Sequence, residues 1–171
     1  ELRRAGAEWV QLDEPALAAD PTAEQLRELR RAHQRLGELT ERPKVLVAGY
    51  FGDFGPALGE LASTPVAAIG GALGRDPSDV DGVGVPPGLR DKTLVAGLVN
   101  GRNVWRADLD AALATGATLL GLAGDVAVST SCSLLHVPYD VEAETDLDPQ
   151  VKSWLSFARQ KVREVVVLGK A

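Results

Sequence analysis

Short apolar runs alternate with amphipathic stretches along the chain, the pattern of repeated βα units. The first run, Trp9 to Leu12, ends at Asp13-Glu14-Pro15, where proline removes a ladder donor and turns the backbone out of a strand. Thr22 then caps a helix expected over about 23–39, with Leu26, Leu29, Leu36 and Leu39 on one stripe and Arg27, Arg30, Arg31 and Arg35 facing water. His33 is expected on the exposed side of that helix. Further strands are expected over 45–48, 66–69, 93–99 and 126–129. Helices are expected over about 56–62 and 106–122, and one long helix over 149–170. The opening residues read as the last turns of a helix, with Gly6 as its C-cap.

The strands are continuously apolar, as parallel strands covered on both faces are. Two architectures fit: an open doubly wound sheet, or a partial TIM-type (βα)8 barrel of about five βα units. The composition bears on this choice. The 171 residues contain no methionine, and Glu1 is not a residue that follows trimming of an initiator Met. Residues 1–171 are therefore expected to be a fragment of a barrel domain whose first strands are missing.

Charge and cysteine narrow the function. Lys and Arg total 18 against 24 Asp and Glu, so nothing recommends a nucleic acid or an anionic membrane as partner. No apolar run approaches the roughly 20 residues of a spanning helix. The single cysteine, Cys132, forms no internal disulfide and suits a reducing, cytoplasmic setting.

In parallel βα folds chemistry collects at the carboxyl ends of the strands. The residues there are Asp13 and Glu14, then Tyr50, Phe51 and Asp53, then Asn100, Arg102 and Asn103, and finally Ser129, Thr130, Ser131, Cys132, Ser133 and His136. Asp13 and Glu14 suit acid–base or cation work, or simply tie down loop amides. Cys132 and His136 have a Cys-x3-His spacing, too few ligands for zinc. A thiol nucleophile with His136 as base is the other chemistry they allow. The glycine-rich stretch 49–55 lacks the Gly-Lys-Ser/Thr ending of a phosphate loop.

Several segments resemble the cobalamin-independent methionine synthase family. They are Val10-Gln11-Leu12-Asp13-Glu14-Pro15-Ala16-Leu17, Tyr50-Phe51-Gly52-Asp53, Gly97 to Trp105, Val128 to Val137 and Glu144 to Lys161. They cover nearly the whole chain in order and are similar to the family's amino-terminal barrel, from about its fourth strand onward. The resemblance implies two (βα)8 barrels related by duplication. It also implies methyl transfer from 5-methyltetrahydrofolate polyglutamate to homocysteine, with zinc in the carboxyl-terminal barrel activating the homocysteine thiol.

By the same resemblance, Asp13 matches a homocysteine-binding Asp of the catalytic barrel, and Arg102 roughly matches its proton-donating His. Ala48, Gly49 and Tyr50 stand where its His-x-Cys zinc pair lies. The strand over 66–72 offers only Gly and Ala where a Glu ligand would be, and Cys132 alone matches a ligand. Two stretches, Val47-Ala48-Gly49-Tyr50-Phe51 and Gly70-Gly71-Ala72-Leu73, also lack the polar residues usual in the family's amino-terminal barrel. The chain is thus expected to have no catalytic or metal-binding residue and no cofactor of its own. It would buttress the catalytic barrel of the same polypeptide, or alternatively stand alone as a truncated binding module. Open strand edges, and an uncovered barrel interior expected to be lined by residues such as Val10, Val47, Val95 and Val128, would favour self-association.

Overall fold

The computed structural model describes residues 1–50, 52, 54–72 and 86–171. Five strands form one sheet: β1 (Trp9–Asp13), β2 (Lys44–Ala48), β3 (Ala68–Gly71), β4 (Thr93–Val99) and β5 (Asp125–Thr130). All neighbours are parallel and the spatial order is β1-β2-β3-β4-β5. A doubly wound sheet reverses its strand order at a switch point, whereas a barrel wall keeps chain order. The order here has no reversal. The chain is a partial (βα)8-type barrel wall, and the doubly wound alternative is set aside.

The helices α1 (Ala23–Gly37), α2 (Pro56–Ala62), α3 (Leu109–Leu120), α4 (Pro149–Trp154) and α5 (Ala158–Leu168) follow the strands. Their starts are written in the sequence. Thr22 and Gln25 close a capping box on α1, and Asp108 and Asp148 cap α3 and α4. At Gly6, with φ +97°, the Ala7 and Gly6 N–H groups bond the Leu2 and Arg3 carbonyls at 3.0 and 3.1 Å. That is the Schellman closure expected there.

The core lies on one face of the sheet. Val45, Val47, Ile69, Leu94 and Ala96 pack against Ala57, Leu61, Leu89 and Leu119, with Leu12, Leu26, Leu29 and Val126 at its margin. The register places Val10 beside Val45, Val47 beside Ile69, and Ala96 beside Val128. So Val10, Val47 and Val128 belong to the helix-covered face, and only Val95 of the expected barrel-interior valines points the other way. On that second face, strand by strand, lie Gln11, Leu46, Gly70, Val95 and Ala127. Burial consequently alternates along β1 and over the first four residues of β5, while β3 is buried throughout.

Three local expectations give way to tertiary packing. His33 is only 5% exposed, because it continues the Leu26–Leu29 stripe, while Leu36 and Leu39 are left exposed. Its Nδ1 lies 3.0 Å from the Leu29 carbonyl oxygen. The third strand sits two residues later than apolarity alone suggests. The long terminal helix is two helices, since residues 154–156 extend to pair with 104–106. There the Arg106 N–H bonds the Trp154 carbonyl at 2.9 Å and the Ser156 N–H bonds the Val104 carbonyl at 2.8 Å. Backbone pairing with a distant segment outweighs helical periodicity at that point.

Candidate functional site

The carboxyl ends of the strands carry the expected polar residues, but they form two groups rather than one. The first spans β1 and β2. Gln11 Nε2 donates to Asp13 Oδ1 and to the Tyr50 hydroxyl, each at 2.8 Å. Burial, then the Asp13 carboxylate beside it, push the Tyr50 hydroxyl above its ordinary value. The Gln11 hydrogen bond opposes this, and Cys132 adds a smaller upward push. Gln11 is thus a site residue that inspection of polar strand ends missed. Its alternation with Asp13 on β1, two residues apart and so on the same face, was the available signal. Glu14 lies apart from them, half-buried, its N–H bonded to the Ala48 carbonyl at 2.8 Å. Phe51 and Asp53 lie outside the described residues.

The second group spans β4 and β5. Asn100 Oδ1 accepts the Arg102 N–H at 2.8 Å, an Asx turn that ends β4. Ser131 Oγ accepts the Gly101 N–H at 3.1 Å and its own N–H bonds the Val99 carbonyl at 2.8 Å, which ties the two strand ends together. Ser129 is half-buried on β5. Cys132 is 3% exposed with Sγ 3.7 Å from the Ser133 carbonyl oxygen, whereas His136 is exposed on a 3-10 turn. A catalytic thiol needs an accessible, activating environment, and burial at this level does not provide one.

Between the groups the strand ends are bare backbone. A Cβ at Gly71 would lie 2.5 Å from the Gly49 carbonyl oxygen, and one at Gly97 would lie 2.6 Å from both the Gly71 carbonyl oxygen and Ser131 Cα. The backbones approach too closely there for a ligating side chain to be added without displacement. Among the described residues no three His, Cys, Asp or Glu side chains group as a metal site would require. No helix among them is long and apolar enough to cross a membrane.

One further residue was missed. Lys161 is fully buried, with Nζ donating to Asn103 Oδ1 at 3.3 Å and to the Trp105 carbonyl at 3.0 Å. Burial pushes its ammonium below the ordinary lysine value, opposed by the charge of Glu164. The signal was a lysine on the apolar stripe Ala158, Lys161, Val165, Leu168.

The family model described as "Cobalamin-independent synthase, N-terminal domain" matches residues 1–123. A 5-methyltetrahydropteroyltriglutamate–homocysteine methyltransferase of Streptomyces coelicolor is 53% identical over 171 residues, covering 99% of this chain and 22% of that protein. The protein of the same name from Mycobacterium tuberculosis (strain ATCC 25618 / H37Rv) is 59% identical over 172 residues, with the same coverage. A B12-independent methionine synthase from Shewanella sp. W3-18-1, solved with selenomethionine, aligns with a TM-score of 0.62 at 15% identity. That alignment covers 99% of this chain and 49% of that one, a likeness of fold. The chain spans about a fifth of the length of the curated relatives it matches. With strand order, strand-end motifs and sequence agreeing, the chain belongs to the cobalamin-independent methionine synthase family, within its amino-terminal domain.

Proposed function

We propose that residues 1–171 are part of a non-catalytic amino-terminal barrel that buttresses the catalytic barrel of a longer, cytoplasmic methyltransferase. That polypeptide would transfer a methyl group from 5-methyltetrahydropteroyltriglutamate to homocysteine, the substrates in its relatives' name. The zinc chemistry implied by the family resemblance would stay in the carboxyl-terminal barrel. The observation that carries the scaffold reading is the apolar surface following the carboxyl ends of β4 and β5. Leu135 is 93% exposed, Tyr139 74%, Trp105 53% and Trp154 52%. Large apolar side chains left exposed on the segments that follow neighbouring strands favour a surface that another body covers, and aromatic residues are the usual anchors of such contacts.

The test is made in the full-length polypeptide. Leu135→Asp combined with Trp154→Asp should make proteolytic separation of the two barrels faster and lower methionine formation by about tenfold or more, as loss of an interface anchor does. Cys132→Ser should leave turnover within about twofold, because its thiol is packing rather than chemistry. Abolished turnover in a folded Cys132→Ser protein, or no effect of the double substitution, would overturn the reading.

A further inference from the structure

The loop after β4 is held by one distant stretch of chain. The Val104 carbonyl accepts the Ser156 N–H at 2.8 Å, the Arg106 N–H bonds the Trp154 carbonyl at 2.9 Å, and Glu164 Oε1 accepts the Ala107 N–H at 3.4 Å. Trp105 sits in the middle of this loop, and both of its backbone polar groups converge on a single pair of side chains. Asn103 Oδ1 accepts the Trp105 N–H at 3.2 Å. Lys161 Nζ donates to that same Oδ1 at 3.3 Å and to the Trp105 carbonyl at 3.0 Å. The backbone of Trp105 is thus fixed on either side while its side chain stays 53% exposed.

Packing alone does not call for a lysine here. Lys161 is fully buried on the α5 stripe it shares with Ala158, Val165 and Leu168, where an apolar residue would fill the space without desolvating a charge. An apolar side chain would, however, leave the Trp105 carbonyl and one lone pair of Asn103 Oδ1 without their donor. The charge itself is matched inside the fold. Glu164, one turn further along α5, offsets the burial of the ammonium, and its Oε2 is buried with no hydrogen-bond partner among the described residues. What the ammonium adds beyond this balance is geometry: it ties α5 to the loop at Trp105.

We propose that Lys161 is a positioning residue. Through Asn103 it sets the backbone on both sides of Trp105, and so the presentation of that side chain on the surface that meets the catalytic barrel. The proposal rests on the scaffold reading given above.

Amide hydrogen exchange and limited proteolysis of the full-length polypeptide test it together. Lys161→Met keeps length and removes the donors. It should speed exchange of the Trp105, Arg106 and Ala107 amides by about tenfold through local opening, with the amides of β2 and β3 unchanged. Proteolytic separation of the two barrels should become faster in the same protein. Asn103→Ala, at a half-buried position, should reproduce both effects and serves if Lys161→Met fails to fold. Asn103→Asp keeps the accepting oxygen and should match the parent in both. Unchanged exchange over 105–107, exchange raised equally throughout the sheet, or freed amides without faster separation would overturn the proposal. The protein carrying Leu135→Asp and Trp154→Asp keeps the two readings apart. Faster separation there, beside unchanged separation in Lys161→Met, removes the positioning role and leaves the scaffold surface standing.

Discussion

At the residue scale, the Gln11–Asp13–Tyr50 triad makes a measurable electrostatic statement. Tyr50 is raised by burial first and by Asp13 second, so part of the shift depends on one removable charge. Asp13→Asn should bring the Tyr50 hydroxyl back toward the ordinary tyrosine value. Ultraviolet titration reads this once Tyr139, the other tyrosine, is replaced by Phe. An unchanged titration would show that burial alone sets the shift. The sign for stability follows from linkage: a group raised on folding holds its proton more tightly in the native state. Its contribution is complete below the unfolded tyrosine value and is lost as pH rises through the folded one.

At the scale of elements, glycines decide how closely strands end. Gly97 has no room for a Cβ against the Gly71 carbonyl oxygen and Ser131 Cα, both backbone atoms that cannot swing aside. Gly59, within α2, meets nothing within 4 Å. Gly97→Ala should therefore destabilise the fold by roughly 1–3 kcal/mol, as overpacking does. Gly59→Ala should stabilise it by up to about 1 kcal/mol through helix propensity. Denaturant midpoints of the two variants compare them directly, and equal shifts of one sign would refute the close-approach account.

At the scale of the whole molecule, β1 and β5 each keep one unpaired edge among the described strands, and the second sheet face is only partly covered. Closure of a barrel removes such edges, and an open one invites pairing. An apolar groove of about 390 Å³ beside β1, lined by Leu2, Val10, Leu12, Leu36 and Leu39, adds uncovered surface. Each apolar side chain left in water forgoes roughly 1.5–3 kcal/mol, so several together rival the stability of a domain. The 171-residue chain on its own should self-associate at micromolar concentration, as light scattering would detect. A stable, well-folded monomer would contradict the open-edge argument.

Much of this was legible along the chain, because local signals and tertiary structure agree over most of it. The cap at Thr22, the αL closure at Gly6, the strand over 93–99 and the helix over 56–62 depend on neighbours in sequence, whereas the helix expected from about 106 begins only at Leu109, after its cap Asp108. The strand-end motifs likewise put Asp13, Asn100, Arg102 and Cys132 at or just after the carboxyl ends of β1, β4 and β5. What periodicity could not decide was set by contacts between distant segments. Strand order separated a barrel wall from a doubly wound sheet, and register assigned Val10, Val47 and Val128 to the helix side. Pairing of 154–156 with 104–106 split the last helix, and packing buried His33 and Lys161, polar residues that a helical stripe carries into the interior. Hydrophobic pattern determines which residues leave water; only the assembled sheet determines which face they leave it through, and which charges are buried with them.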